Sequence, residues 1–182
     1  GGNKDIYIFF AGHGLASDDG ENLFLLPQDG NTDLLEDTAL SRSEIFKQIS
    51  KLNPRLVTIF FDTCYSGSSR DDESLLASAR PIRILSNEVT ERPDNFTIFS
   101  AAKFDQISSG FKEAKNGLFS YYLMKGLEGK ADNNNDRRIT NGELEEYLNS
   151  NISKKASEIG REQNSQLIGH PNDNYAKKIL MV

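Results

Sequence analysis

Two side chains in this sequence could together break an acyl bond, and each ends its own apolar run. Cys64, the chain's one cysteine, closes Leu56-Val-Thr-Ile-Phe-Phe-Asp-Thr-Cys64 and is followed at once by Tyr65-Ser-Gly67. His13, one of two histidines, lies in Gly12-His-Gly14 directly after Ile6-Tyr-Ile-Phe-Phe-Ala11. Short apolar runs of this kind read as central strands of a parallel sheet. In open α/β sheets, chemistry collects at the carboxyl ends of the strands. A thiol and an imidazole delivered there would act as nucleophile and base. Cysteine attacks as thiolate, and the free thiol titrates at about 8.5, so an imidazole that takes its proton supplies what it lacks. Taken singly, a strand-end cysteine is more often a buried, inert hydrophobe. Both residues at matching strand ends favour a shared task.

The neighbours of the pair have readings of their own. Gly14 and Gly67 would let the backbone turn sharply and approach a substrate carbonyl closely. Asp62 stands two residues before Cys64, and strand alternation puts both side chains on one sheet face. A carboxylate there would pair with an arginine or lysine of a substrate; the plainer reading is a structural carboxylate that accepts hydrogen bonds.

The elements that must hold these residues follow a strand–helix–strand order. After the His13 strand come a Gly/Asp-rich turn and a short strand, Leu23-Phe-Leu-Leu-Pro27. Ser41-Arg-Ser-Glu44 has capping-box spacing, and the helix that it opens carries Ile45, Phe46, Ile49 and Leu52 before Asn53-Pro54 stops it. The Cys64 strand follows, which implies a right-handed parallel crossover. Residues 66–95 are polar and hold Arg70, Arg80, Arg83 and Arg92; a loop so long is expected to be flexible or functional. Further on, the pattern predicts a strand over 96–101, helices over about 118–127 and 142–152, and a last strand near 176–181.

Together, Phe10-Ala-Gly-His-Gly14 and Asp62-Thr-Cys-Tyr-Ser-Gly67 resemble the caspase-like cysteine peptidases. The likeness is to the metacaspase and bacterial caspase-like (orthocaspase) branch, which favours Ser-Gly-His-Gly and Asp-x-Cys-His-Ser-Gly. The 51-residue separation of His13 and Cys64 fits the roughly 50 of caspases. Phe99-Ser-Ala-Ala-Lys-Phe-Asp-Gln106 is similar to the family's strand with its downstream Asp-Gln. Gly117-Leu-Phe-Ser120 is similar to its Gly-x-Phe-Thr helix start, and Gln166 through Met181 to its closing strand. Ala11 and Tyr65 depart from the usual serine and histidine. The family's first strand and helix have no counterpart ahead of Ile6, so the chain reads as the C-terminal part of a domain.

The resemblance implies a single caspase-like α/β/α sandwich over 1–182 with a mainly parallel central sheet. It implies a cysteine endopeptidase with His13 as base and Cys64 as nucleophile. The N–H groups of Gly14 and Cys64 would form the oxyanion hole. Asp62, supported by Asp105, would select Arg or Lys before the scissile bond. No cofactor enters that chemistry. The partners would be protein or peptide substrates and the upstream part of the same domain. A protease with such a pocket is expected to cut its own loop after Arg70, Arg83 or Arg92, as a zymogen does; Arg80 is excluded by Pro81.

Two other readings compete. A catalytically silent caspase-like module would bind partners instead. Cys64-Tyr-Ser-Gly67-Ser-Ser-Arg70 also fits the phosphate loop of Cys-dependent phosphatases, but Asp62, Asp71 and Asp72 would repel a phosphate dianion, and His13 would have no task. Separately, Asp132, Asn134, Asp136 and Glu143 fall at ligand positions of an EF-hand calcium loop, with Arg137 where glycine is wanted. A solvated helix–helix connection is the alternative there.

Bulk composition narrows the field. A net charge of −6 gives no nucleic-acid footprint and suits basic substrates. A single cysteine cannot form an internal disulfide, and no apolar run approaches a membrane span. A cytoplasmic location is the expectation, with export left open by a start at Gly1.

Overall fold

In the computed structural model, the described residues are 2–63, 65, 92–103, 108–111, 116–169 and 179–181. The central sheet is built from β1 (Asp5–Ala11), β5 (Leu56–Asp62), β6 (Phe96–Ser100) and β10 (Gln166–Ile168), in the order β1-β5-β6-β10. The first three run parallel and β10 is antiparallel to β6. The fold is therefore α/β with a mainly parallel mixed sheet, as the strand–helix–strand reading predicts. Strand β5 is buried on both faces, which is why it reads as a continuous apolar run.

Between β1 and β5 the chain forms β2 (His13–Ala16), β3 (Leu23–Leu26), a short helix α1 (Leu35–Thr38), β4 (Leu40–Ser41) and helix α2 (Arg42–Ser50). Strands β2, β3 and β4 make a small antiparallel sheet of their own. After β6 come β7 (Gly110–Phe111), β8 (Asn116–Gly117), helix α3 (Leu118–Lys125), a π-turn (Gly126–Lys130), β9 (Arg138–Thr140) and helix α4 (Asn141–Glu158).

Strand alternation sorts the core into two layers. Val57, Ile59 and Phe61 face α2, where they meet Phe46, Ile49, Phe96 and Ile98. Phe60 and Phe99 stack at 5.3 Å on the opposite face, among residues of α3 and α4. Leu144, Leu148, Ile152 and Ala156 supply the buried stripe of α4 at i, i+4 spacing. Helices thus cover both faces of one sheet.

Several local expectations are corrected. The Ser41–Glu44 capping box does not form: Ser41 Oγ meets Ser43 Oγ, and Glu44 accepts from Lys47 and Gln48. Leu52 lies beyond the end of α2 and is exposed. Helix α4 runs to Glu158 because its apolar stripe continues through Ala156. The strand near the C-terminus, β11 (Ile179–Met181), pairs with β9, so the central sheet is closed by β10 instead. Among the described residues no helix is long and apolar enough to cross a membrane.

Candidate active site

The site is best approached from the register of β1 against β5. Arg55 clamps Asp5 through Nε at 2.8 Å and Nη2 at 2.5 Å where the two strands begin. Pairing then runs without a slip from Asp5 opposite Leu56 to Ala11 opposite Asp62. One further bond, Gly12 N–H to the Asp62 carbonyl at 3.2 Å, extends it past the last strand pair. His13 is thus the second residue beyond Ala11 on one strand, as Cys64 is beyond Asp62 on the other. Cys64 itself, with Asp105, Arg70 and Arg83, lies outside the described residues. Both chain neighbours of Cys64, Thr63 and Tyr65, are described and buried.

His13 opens β2, opposite Leu26, and is half-buried. Gly14 is not the sharp turn that its sequence context implies. It lies within β2, buried and opposite Leu25, and it is not among the residues with positive φ. Its neighbour Gly12 leaves room for the Phe10 ring: a Cβ there would stand 2.9 Å from the ring tip, which would have to shift.

Asp62 is fully buried. Its Oδ1 accepts from Ser108 Oγ at 2.8 Å; its Oδ2 accepts from the Ser120 N–H at 3.3 Å and from Ser120 Oγ. The acid two residues before Cys64 is therefore tied to the first turn of α3. Gln163, also buried, braces the same region: its Nε2 donates to the Ala101 carbonyl and its Oε1 accepts from Ser109 N–H, both at 2.8 Å. Nearby in sequence, the hydroxyls of Thr63, Ser100 and Ser109 are buried and have no hydrogen-bond partner among the described residues.

On the other face of β5, Arg42 is 1 % exposed. Its Nη1 donates to the Tyr65 hydroxyl at 2.8 Å, and its guanidinium lies 4.1 Å above the Phe61 ring. Arg92 is buried too, donating from Nη1 to the carbonyls of Pro93 and Phe96.

The oxygens of the acidic loop already accept hydrogen bonds from the loop's own backbone. Asp132 accepts from the N–H groups of Asp136 and Arg137, Asn134 from Asp136, and Asp136 from Arg138. Glu143 turns away to accept from the Thr140 N–H and hydroxyl at 2.8 Å each, completing a capping box. Among the described residues no group of three His, Cys, Asp or Glu could hold a metal ion.

Ser108, Ser120, Gln163 and Arg42 were not singled out from sequence. For Ser120 a signal existed, since it fills the last position of Gly117-Leu-Phe-Ser120. The others are isolated polar residues with no spacing to mark them.

No curated protein matches the chain. A solved structure, protein GSU0716 from Geobacter sulfurreducens, is similar at 14% identity with a TM-score of 0.52, over 96% of this chain and 70% of that one. At such identity the likeness shows the fold alone. The family model of the caspase domain matches residues 1–175, and the chain accordingly belongs to the caspase-domain family of cysteine peptidases.

Proposed function

We propose that the chain is a cysteine endopeptidase in which His13 and Cys64 form the catalytic dyad and Asp62 selects a basic residue before the scissile bond. The observation that carries this reading is the unbroken β1–β5 register, which sets Ala11, two residues before His13, opposite Asp62, two residues before Cys64. His13 takes the Cys64 thiol proton, and the sulfur attacks the scissile carbonyl carbon to give a tetrahedral oxyanion. The N–H groups of Gly14 and Cys64 are proposed to hold that oxygen; losing one such donor typically costs about 10²–10³ in rate. As the carbonyl re-forms, the C–N bond breaks and His13 protonates the leaving amine. Water then adds to the thioester while His13 takes a proton from it. The sulfur departs with the acid product released. The scheme needs proton transfers and additions among groups of the chain and substrate, with no cofactor.

The basic preference is read from the place of Asp62 two residues before Cys64. A guanidinium or ammonium pairs with such a carboxylate when it arrives in good geometry, here in addition to the bonds from Ser108 and Ser120. Asp105 is proposed to assist from the adjacent loop, and processing after Arg70 or Arg83 to precede full activity. An upstream strand of the same domain is the partner proposed for the outer edge of β1, where Tyr7 and Phe9 are more than half exposed.

The test is an assay of the full protein on peptides ending in Arg, Lys or Asp before a fluorogenic leaving group. Turnover on Arg or Lys peptides, abolished by Cys64→Ala and by His13→Ala, is the expected result. Turnover that survives Cys64→Ala sinks the assignment; preference for Asp sinks the role of Asp62. An arginyl ketone that fails to label Cys64 would leave a silent binding module as the reading.

A further inference from the structure

Asp62 before Cys64 and Tyr65 after it are held from opposite faces of the sheet. On one face Asp62 is held by Ser108 and by Ser120 of α3. On the other, Arg42 touches residues on both sides of Cys64 at once. Its guanidinium carbon lies 4.1 Å from the Phe61 ring centre and 5.3 Å from that of Tyr65, with Phe46 at 5.8 Å. Its Nη1 donates to the Tyr65 hydroxyl at 2.8 Å. Phe61, Tyr65 and Arg42 are all nearly inaccessible to solvent.

A buried guanidinium is an expensive way to fill space. Its charge cannot be shed, because arginine stays protonated under all conditions that a fold survives. An apolar residue would occupy the start of α2 with less loss of hydration. What arginine adds is direction: a flat, rigid fork that stacks on one ring while bonding the hydroxyl of another. Here that direction fixes the residue immediately after Cys64 relative to the last turn of β5.

We propose that Arg42 is a positioning residue for Cys64, acting through the Tyr65 hydroxyl. It rests on the peptidase reading only in what the positioned thiol is used for. Attack geometry is steep in distance, and a displacement of about 1 Å costs on the order of 10²-fold in rate. Loosening Tyr65 is therefore expected to lower kcat while leaving KM nearly unchanged, since neither Arg42 nor Tyr65 is assigned a substrate contact.

Cys64 is the chain's one cysteine, so thiol labelling reports on it alone. The experiment compares wild type with Tyr65→Phe and Arg42→Lys, each first shown folded by circular dichroism and thermal melting. Tyr65→Phe keeps the ring and removes only the acceptor; Arg42→Lys keeps the charge and removes the planar fork. Iodoacetamide is the probe: the thiolate displaces iodide from its carbon, and the rate is followed from pH 5 to 9. The expected result is a tenfold or larger fall in labelling at neutral pH in both variants, with the midpoint of the rate–pH profile moved. A matching fall in kcat should accompany it. Labelling profiles that overlay wild type in folded Tyr65→Phe overturn the proposal, whatever the peptide assay shows. A wild type that cleaves no peptide, with labelling still dependent on Tyr65, fails the peptidase reading and leaves the positioning role standing.

Discussion

Arg42 and Tyr65 meet through a 2.8 Å hydrogen bond from Nη1 to the phenolic oxygen, buried between α2 and the chain that leaves β5. The bond joins positions 23 residues apart, so it ties the crossover helix to the strand that it precedes. Its energetic signature is distinct from ordinary core packing. Removing one partner leaves the other buried and short of a hydrogen bond, at about 1–3 kcal/mol, whereas removing both can be nearly neutral. Tyr65→Phe and Arg42→Met should each destabilise by that amount, and the double variant should fall well short of the sum. Urea midpoints of the four proteins in a double-mutant cycle measure the coupling. Strict additivity would show that the contact contributes only bulk.

The tie from α3 to Asp62 makes a second prediction. A hydrogen bond to a charged group contributes about 1.5–3 kcal/mol, so Ser120→Ala and Ser108→Ala should each cost within that range. Ser120→Thr should cost less, because it keeps the hydroxyl. Denaturant unfolding provides the numbers. If Asp62 also faces a basic substrate side chain, the serine variants should shift KM for Arg peptides more than kcat. An unchanged KM together with lost stability would mark the carboxylate as purely structural.

The acidic connection before α4 predicts two opposite changes close together. Thr140 and Glu143 form a reciprocal capping box, so Thr140→Ala should lose about 1 kcal/mol. Glu143→Gln can keep the reciprocal bond and should lose much less. Arg137 has φ of 65°, a left-handed conformation that a residue with a Cβ adopts at a cost of about 1 kcal/mol. Arg137→Gly should therefore stabilise the protein modestly, or at least not harm it. Thermal melts with and without millimolar calcium test both effects. A calcium-dependent rise in melting temperature in wild type would show that Asp132, Asn134, Asp136 and Glu143 gather around the ion.

How far these features could be read from sequence depends on what signals them. The strands at 56–62 and 96–100 are legible because parallel strands buried on both faces are continuous apolar runs; the strand at 5–11 is as apolar in sequence, although Tyr7 and Phe9 are exposed. His13 stands out because it follows such a run, and it opens β2; Cys64 stands out by the family pattern and lies outside the described residues. Helix α4 extends six residues past its expected end because Ala156, a weak hydrophobic signal, continues the stripe. The capping box is found at Thr140 rather than Ser41: both have the spacing, but the Ser41 side chain bonds Ser43 while Glu44 bonds within its own helix. Arg42 is illegible for a plain reason. An arginine in the first turn of an amphipathic helix reads as solvated, and only the placement of Phe61 and Tyr65 makes it a core residue. Gly14 misleads in the opposite direction, since a glycine beside a catalytic candidate invites a turn where the chain is extended.

The last prediction concerns processing, and it divides the arginines after Cys64 by chemistry and position. A pocket selective for Arg is expected to cut an exposed loop beside it, and loop tips of small and polar residues are preferred nicking sites. Arg70 and Arg83 meet that description in sequence. Arg80 does not, because Pro81 restricts the bond to be cut. Arg92 fails on two counts: Pro93 follows it, and its guanidinium is buried on the carbonyls of Pro93 and Phe96 at the foot of β6. To enter a pocket, Arg92 would have to leave both acceptors and pull at the start of a central strand. Intact-mass and peptide mapping of wild type and Cys64→Ala should show cuts after Arg70 or Arg83 in the first protein and none in the second. Arg70→Gln with Arg83→Gln should abolish cleavage without redirecting it to Arg92. A new cut after Arg92 in that double variant would mean that the foot of β6 opens readily in solution. An uncut wild type that turns over peptides briskly would mean that activity needs no processing at all.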